Sequence, residues 1–235
     1  ISKSNILQKH TTLGNALVDM YAKCGALAMS QALFDDLPVH DTISWNAFLA
    51  GYINQGFSSE EIPHFLDLMQ WEGVCPDTLT YVYGLKACVH LRTIQTGRAL
   101  HMEVVTKGIE EDQHVGNALI DMYAKCSLLC EAQDIFERLP DHNIVSWTAL
   151  IGGYTELGCG EEALKLFDEM QIEGIKADEV IMSGVVKASG DTKDIGYGRS
   201  MHDQIIKNML ELKTTLGNAL VGMYVRCGCL DEAMN

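Results

Sequence analysis

Apolar residues return every three or four positions along most of the chain. Leu13, Ala16, Leu17, Met20, Tyr21 and Cys24 occupy i, i+3, i+4, i+7, i+8 and i+11, which is one stripe along an α-helix. The stripe comes back as Val115, Ala118, Leu119, Met122, Tyr123 and Cys126, and again as Leu216, Ala219, Leu220, Met223, Tyr224 and Cys227. The residues around it repeat too: Gly14-Asn15-Ala16-Leu17, Gly116-Asn117-Ala118-Leu119 and Gly217-Asn218-Ala219-Leu220 lie 102 and 101 residues apart. A period held that closely defines a repeat array. Gly25 and Gly228 follow the stripe as helix stops. A second amphipathic stretch then runs to Leu37-Pro38, and to Leu139-Pro140 in the next copy, so one unit is a helical hairpin of about 31 residues.

Two other hairpin types lie between these copies. Ser44-Trp45-Asn46-Ala47 through Gly51-Tyr52 recurs as Ser146-Trp147-Thr148-Ala149 through Gly153-Tyr154. Lys86-Ala87-Cys88 with Gly97-Arg98-Ala99-Leu100-His101 recurs as Lys187-Ala188-Ser189 with Gly198-Arg199-Ser200-Met201-His202. The chain then divides into 1–10 (the tail of a unit), 11–41, 42–77, 78–112, 113–143, 144–178, 179–213 and a truncated 214–235, one extra residue lying near Phe57–Glu61. No strand pattern competes. The prediction is an all-α fold, a right-handed α-solenoid of stacked helix-turn-helix hairpins with a concave inner surface. Because the division begins and ends inside a unit, the chain is expected to be a piece of a longer protein.

Composition adds three constraints. Hydrophobic content of 47% with four prolines in 235 residues allows a continuous core. No apolar run reaches the length of about 18 residues that a membrane span needs, and residues 1–20 carry no signal-peptide or Arg-rich transit pattern. The eight cysteines include no Cys-x-x-Cys pair; Cys24, Cys126 and Cys227 share one repeat position, so packing is favoured over metal or redox chemistry, in a reducing compartment. The net charge of −15 weighs against nucleic-acid binding, which is driven by Lys and Arg displacing counterions from phosphates.

Alternating units of about 31, 35 and 35 residues with these signatures resemble the pentatricopeptide repeat family, specifically its plant P-L-S subclass. Asn-Ala-Leu-Val-Asp-Met-Tyr-Ala-Lys-Cys-Gly is similar to the short motif (11–41, 113–143 and 214–235). Ser-Trp-Asn-Ala through Gly-Tyr, with Glu-Glu-Ala-Leu-Lys-Leu-Phe, is similar to the P motif (42–77 and 144–178). Ala-Cys with Gly-Arg and His is similar to the long motif (78–112 and 179–213, with 1–10 as the tail of another). The resemblance covers essentially the whole chain. It implies single-stranded RNA binding in a mitochondrion or chloroplast, one base per repeat, a code read by two or three side chains in each. It also implies service as the recognition part of a C-to-U RNA editing factor, alongside other editing-complex proteins and without a cofactor.

The family reads each base with the fifth and last residues of a motif. Carried over, the pairs are Asn15 with Asp41, Asn46 with Asp77, Asn117 with Asn143, and Thr148 with Asp178, while Asn218 opens an incomplete pair. By the family's code they favour U, U, a pyrimidine and G, giving 5′-UUxYGx-3′. Val82 with Asp112 and Ser183 with Lys213 are weaker pairs without a clear reading. The second position packs on base faces and carries Ile43, Leu79, His114, Val145 and Val180; packing on neighbouring helices is an equal alternative. Asn15 lies away from the apolar stripe, where an amide can donate and accept toward a base edge. The alternative role for Asn15, Asn46, Asn117 and Asn218 is helix capping. Lys23, Lys125 and Arg226 end the first helix of the short motifs, as phosphate contacts or as cations complementing a helix C-terminus. Asn54, Glu156, His90 and Asp191 interrupt that position elsewhere, and the remaining acids are expected mainly on second helices, as Glu161, Glu162, Asp168 and Glu169 are.

Chemistry of other kinds is not supported. His101-Met102-Glu103 is a His-x-Glu, but no Pro-Cys-x-x-Cys follows to complete a zinc deaminase signature. Gly158-Cys159-Gly160-Glu161-Glu162-Ala163 has no strand before it, so it lacks the context of a dinucleotide loop. No Walker A loop, nucleophile elbow or His-Glu-x-x-His helix occurs. The segment is read as non-enzymatic, and the rival to RNA binding is a protein-binding scaffold of tetratricopeptide type.

Overall fold

The computed structural model describes residues 11–56, 61–207 and 214–233. The tail 1–10, Lys213 and most of the stretch around the extra residue lie outside them. Among the described residues every regular element is an α-helix. Residues 11–41 hold α1 (Thr11–Lys23) and α2 (Leu27–Asp35), 42–77 hold α3 (Thr42–Asn54) and α4 (Ile62–Trp71), and 78–112 hold α5 (Thr78–Leu91) and α6 (Ile94–Lys107). Then come α7 (Gln113–Lys125) and α8 (Leu129–Arg138), α9 (Ile144–Glu156) and α10 (Gly160–Ile172), α11 (Glu179–Asp191) and α12 (Ile195–Lys207), and finally α13 (Thr214–Arg226) and α14 (Leu230–Ala233). The contacts divide into two compact units, Ile1–Met122 and Tyr123–Asn235.

In the first unit the opening helices of successive hairpins lie against one another, α1 on α3 and α3 on α5, and each also packs on a second helix. The second unit repeats the arrangement with α9, α11 and α13. Small residues set how closely these helices approach. A Cβ on Gly51 would stand 2.3 Å from the Cβ of Ala22 and 3.0 Å from its Cα, and a Cβ on Gly153 would stand 2.6 Å from the Cβ of Ala124. A second recurring contact seats a methionine on a glycine. A Cβ on Gly97 would meet Met122 Sδ at 2.6 Å, and one on Gly198 would meet Met223 Sδ at 2.5 Å. The repeated Gly-Arg and Asn-Ala-Leu segments are thus two halves of one joint.

The turn between helices also recurs. Gly25 and Gly228 adopt φ of 79° and 76°, and Ser127, at the same repeat position, takes the left-handed conformation at 64°. In each case the next residue donates its N–H back to the tyrosine carbonyl of the preceding helix, Ala26 to Tyr21, Leu128 to Tyr123 and Cys229 to Tyr224, at 2.9–3.0 Å. This closure satisfies carbonyls that a helix end otherwise leaves open.

The apolar stripe behaves differently in its first copy. Val115, Leu119, Met122 and Tyr123 are buried in the second copy, and Leu216, Leu220, Met223 and Tyr224 in the third. In α1, however, Leu13, Met20 and Cys24 are exposed, and Gly14, Asn15, Val18 and Ala22 are the buried residues. The reason is that, among the described residues, α1 has packed neighbours only on the α2 and α3 side, so burial rotates toward them. Within hairpins 11–41 and 113–143, the ring of His40 stacks on Phe34 at 4.1 Å, and that of His142 on Phe136 at 4.0 Å. Phe34 and Phe136 in turn meet the buried Trp45 and Trp147 edge-on.

The glycine contacts predict opposite outcomes for one substitution. Gly51→Ala is expected to destabilise the chain by about 1–3 kcal/mol, because the new methyl strikes a neighbouring backbone that cannot move aside. Gly152→Ala has nothing within 4 Å of the new methyl and should stabilise by about 0.5–1 kcal/mol through helix propensity. Urea denaturation of the two variants measures both signs.

Candidate nucleic-acid interface

The first four N–H groups of an α-helix have no partner within the helix. In this chain the last residue of the preceding hairpin supplies the acceptor. Asp41 Oδ1 accepts from the Ser44 N–H at 2.8 Å and Asp77 Oδ1 from the Thr80 N–H at 2.9 Å. Asn143 Oδ1 accepts from Val145 and Ser146, Asp178 Oδ1 from Ile181, and Asp112 Oδ1 from His114 and Val115. At Asp41, Asp77 and Asn143 the hydroxyl three residues on accepts from the capping residue's own N–H, which completes a capping box. Helix capping therefore belongs to Asp41, Asp77, Asp112, Asn143 and Asp178. It does not belong to Asn15, Asn46, Asn117 and Asn218, each of which stands at the fifth residue of its hairpin's first stretch, inside the helix. The spacing Asp41-x-x-Ser44, Asp77-x-x-Thr80 and Asn143-x-x-Ser146 carried that signal in the sequence.

The fifth-position amides connect to those caps. Asn15 Nδ2 donates to both carboxylate oxygens of Asp41, at 3.0 and 3.1 Å. Asn46 Nδ2 donates to Asp77 Oδ1 at 3.0 Å. Two side chains 26 or 31 residues apart are thus held edge to edge, one on a first helix and one at the start of the next. Asn15 and Asn46 are each 6% exposed and Asn117 is 8% exposed, so only an edge of each amide is presented. Asn15 Oδ1 is buried with no hydrogen-bond partner. Thr148 turns its hydroxyl to the Ile144 carbonyl of its own helix at 2.6 Å, while Asp178 caps α11. Asn218 is exposed, with no following cap beside it among the described residues. Of the weaker pairs, Val82 is 7% exposed and belongs to the core, Ser183 is half-buried, and Lys213 lies outside the described residues.

One residue beyond the first helical position, apolar side chains stand in solvent in both units. Ile43, Leu79, Val145 and Val180 are 67%, 45%, 53% and 64% exposed, and His114 is exposed at the same register. Each lies two residues past a cap. Such exposure shows that these side chains are not packed on neighbouring helices.

The three short-motif cations are already engaged. Lys23 pairs with Asp19 of its own helix at 2.7 Å, Lys125 with Glu156 at 2.7 Å, and Arg226 with Asp191. Glu156 and Asp191 are the acids that interrupt the basic position in the neighbouring hairpins, and they do so by neutralising it. On α10, Glu161, Glu162 and Asp168 are exposed and Glu169 is half-buried.

Burial opposes the charge on Asp77. The hydrogen bonds it accepts from the backbone N–H of Thr80, the Asn46 amide and the backbone N–H of Leu79 outweigh that and hold its carboxyl below the usual carboxylate range. No group of three or more His, Cys, Asp or Glu side chains suited to a metal occurs among the described residues. The eight cysteines are free thiols. Glu103 of the His-x-Glu accepts from the Tyr81 hydroxyl at 3.0 Å, and His202, the repeat counterpart of His101, bonds the Tyr224 hydroxyl at 2.9 Å. Both are packing contacts. No helix among the described residues is long and apolar enough to cross a membrane.

Replacing Asp77 tests the cap. Asp77→Ala should cost about 1 kcal/mol at neutral pH, and Asp77→Asn less, since asparagine caps as well as aspartate does. Because the folded carboxyl lies below its unfolded value, its charge contributes stability above about pH 3.9 and loses it as pH falls through the folded value. The gap between wild type and Asp77→Asn in thermal melts should therefore close on acidification.

Known proteins share the repeats and the fold. A model described as "PPR repeat family" matches residues 142–188, and one described as "PPR repeat" matches 117–144 and 218–235. A chloroplastic pentatricopeptide repeat-containing protein of Arabidopsis thaliana is 33% identical over 221 residues, covering 94% of this chain and 36% of that protein. A mitochondrial one from the same plant is 36% identical over 228 residues, covering 97% of this chain and 22% of that protein. The chain thus spans about a third or less of these relatives. Among solved structures, the pentatricopeptide repeat protein PPR10 of maize in complex with an 18-nucleotide psaJ RNA element superposes with a TM-score of 0.62 at 22% identity, over 98% of this chain and 37% of that one. That likeness is one of fold, the all-α solenoid of stacked hairpins. Matched repeats, relatives along nearly the full length and the shared hairpin fold together place the chain in the pentatricopeptide repeat family.

Proposed function

We propose that this chain binds single-stranded RNA sequence-specifically, one base to each hairpin, as the recognition part of an organellar C-to-U editing factor of the P-L-S subclass. The observation that carries the reading is the side-chain bond from Asn15 to Asp41 and from Asn46 to Asp77, with Ile43 and Leu79 exposed two residues past those caps, as Val145 and Val180 are past theirs in the second unit. An amide held by a capping carboxylate offers one base edge a fixed N–H donor, with the carboxylate as acceptor, and an apolar side chain two residues past the cap gives that base a surface to pack on. Asn117 with Asn143 and Thr148 with Asp178 extend the series, so the favoured sequence is 5′-UUxYGx-3′. The solved PPR10 complex contains RNA, and the curated relatives' names are chloroplastic and mitochondrial, which supports an organellar RNA role here. Other editing-complex proteins and a catalytic domain elsewhere complete the proposal.

Selection of bound sequences from a randomised single-stranded RNA pool by the 235-residue chain tests it. Enrichment of U at the first two read positions is expected. Asn46→Thr, which makes the pair that of Thr148 with Asp178, should move the second toward G. An RNA scrambled at the four read positions that binds equally well sinks the reading. Tight capture of a basic protein instead would favour the scaffold alternative, to which the charge of −15 points.

Charge gives a separate prediction. Glu156→Gln and Asp191→Asn release Lys125 and Arg226, and each should raise RNA affinity and steepen its salt dependence by about one unit of slope, measured by fluorescence anisotropy across a salt series.

A further inference from the structure

The two amides that form paired sites in the first unit are not held alike. Asn46 Oδ1 accepts a hydrogen bond from the Thr80 hydroxyl at 2.8 Å. That oxygen has no other donor near it, whereas Asp77 Oδ1, 2.9 Å from the same hydroxyl, already receives the Thr80 N–H and the Asn46 amide. A hydroxyl has a single proton, and the Asn46 carbonyl is the acceptor that would otherwise be left buried and unmet. The Asn46 amide is therefore fixed at both ends, its nitrogen on Asp77 and its oxygen on Thr80. Asn15 is fixed at one end only. Ser44, the counterpart of Thr80, sends its hydroxyl to the Asp41 backbone carbonyl at 2.8 Å, and Asn15 Oδ1 stays without a partner.

The difference goes with the residue: both serines at this position, Ser44 and Ser146, send the hydroxyl to the backbone carbonyl of the capping residue, whereas Thr80 sends its own to Asn46. Elsewhere the same position holds Val115, Ile181 and Leu216, which have no hydroxyl, and Ser146, whose hydroxyl goes to the Asn143 backbone carbonyl at 2.8 Å.

We infer that Thr80 is a positioning residue for base recognition, a third member of the Asn46–Asp77 site that sharpens its choice of base without touching RNA. It is 1% exposed, so it acts through the side chains it holds, and its hydroxyl proton acts through Asn46. This rests on the base-reading proposal above. With its oxygen anchored, the amide cannot swing to accommodate a mismatched base edge, so hairpin 42–77 discriminates more sharply than hairpin 11–41.

The test is the affinity ratio of the 235-residue chain for RNAs with U or C at the second read position, compared with the ratio at the first. Thr80→Val and Thr80→Ser retain the backbone N–H that Asp77 caps. Both should lower discrimination at the second position by about three- to tenfold, the worth of one hydrogen bond, and leave the first unchanged. Ser44→Thr should raise discrimination at the first position. If Thr80→Val does not fold, Thr80→Ser decides. Unchanged discrimination in folded Thr80 variants, with Asn46→Thr still shifting the preferred base, overturns the role of Thr80 and leaves base reading standing. If Asn46→Thr also shifts nothing, base reading itself falls.

Discussion

Helix N-termini carry N–H groups that need an acceptor from outside the helix, and for five of the opening helices among the described residues the acceptor is the final side chain of the preceding hairpin. Asp41, Asp77, Asp112, Asn143 and Asp178 each close one unit and start the next. That double duty fixes the register at which hairpins follow one another. It also places a carboxylate or amide beside the fifth residue of the helix behind. Asn15 and Asn46 find their partners there because the cap has to be there. The candidate recognition site is thus a by-product of ending one helix and beginning another, and it needs no separate scaffold.

The packing between hairpins works with the same economy. Gly51 against Ala22 and Gly153 against Ala124 let first helices approach closely, while Met122 and Met223 fill the space above Gly97 and Gly198. Each contact joins residues of two different hairpin types. A unit of one type therefore meets a surface shaped for it only when the types alternate in a fixed order, which is how a period near 100 residues is preserved through three copies of one segment.

Much of this was legible in the sequence. Helical periodicity and the recurring residues gave the hairpins, because a stripe that must be buried at every repeat constrains the same positions each time. The stripe misled in its first copy, where burial depends on which neighbours flank the helix and not on the helix itself. The caps were legible as Asp-x-x-Ser, Asp-x-x-Thr and Asn-x-x-Ser spacings, yet asparagine's capping preference drew attention to Asn15 and Asn46 instead. The bonds between Asn15 and Asp41, and between Thr80 and Asn46, could not be read from spacing, since they join residues 26 and 34 apart in the chain. Nor could the engagement of Lys125 and Arg226, because their partners sit on adjacent hairpins.

That last feature bears on how an acidic chain handles a polyanion. A strand approaching Lys125 or Arg226 must displace a carboxylate that already occupies the cation, so the exchange trades one anion for another and yields little. On the proposed reading, charge at these two positions then adds little to a strand's residence time, whatever its sequence. On the proposed reading, selectivity comes as much from this indifference to unread strands as from attraction to the right one: most transcripts depart quickly, and dwell time accumulates only where base edges and amides agree.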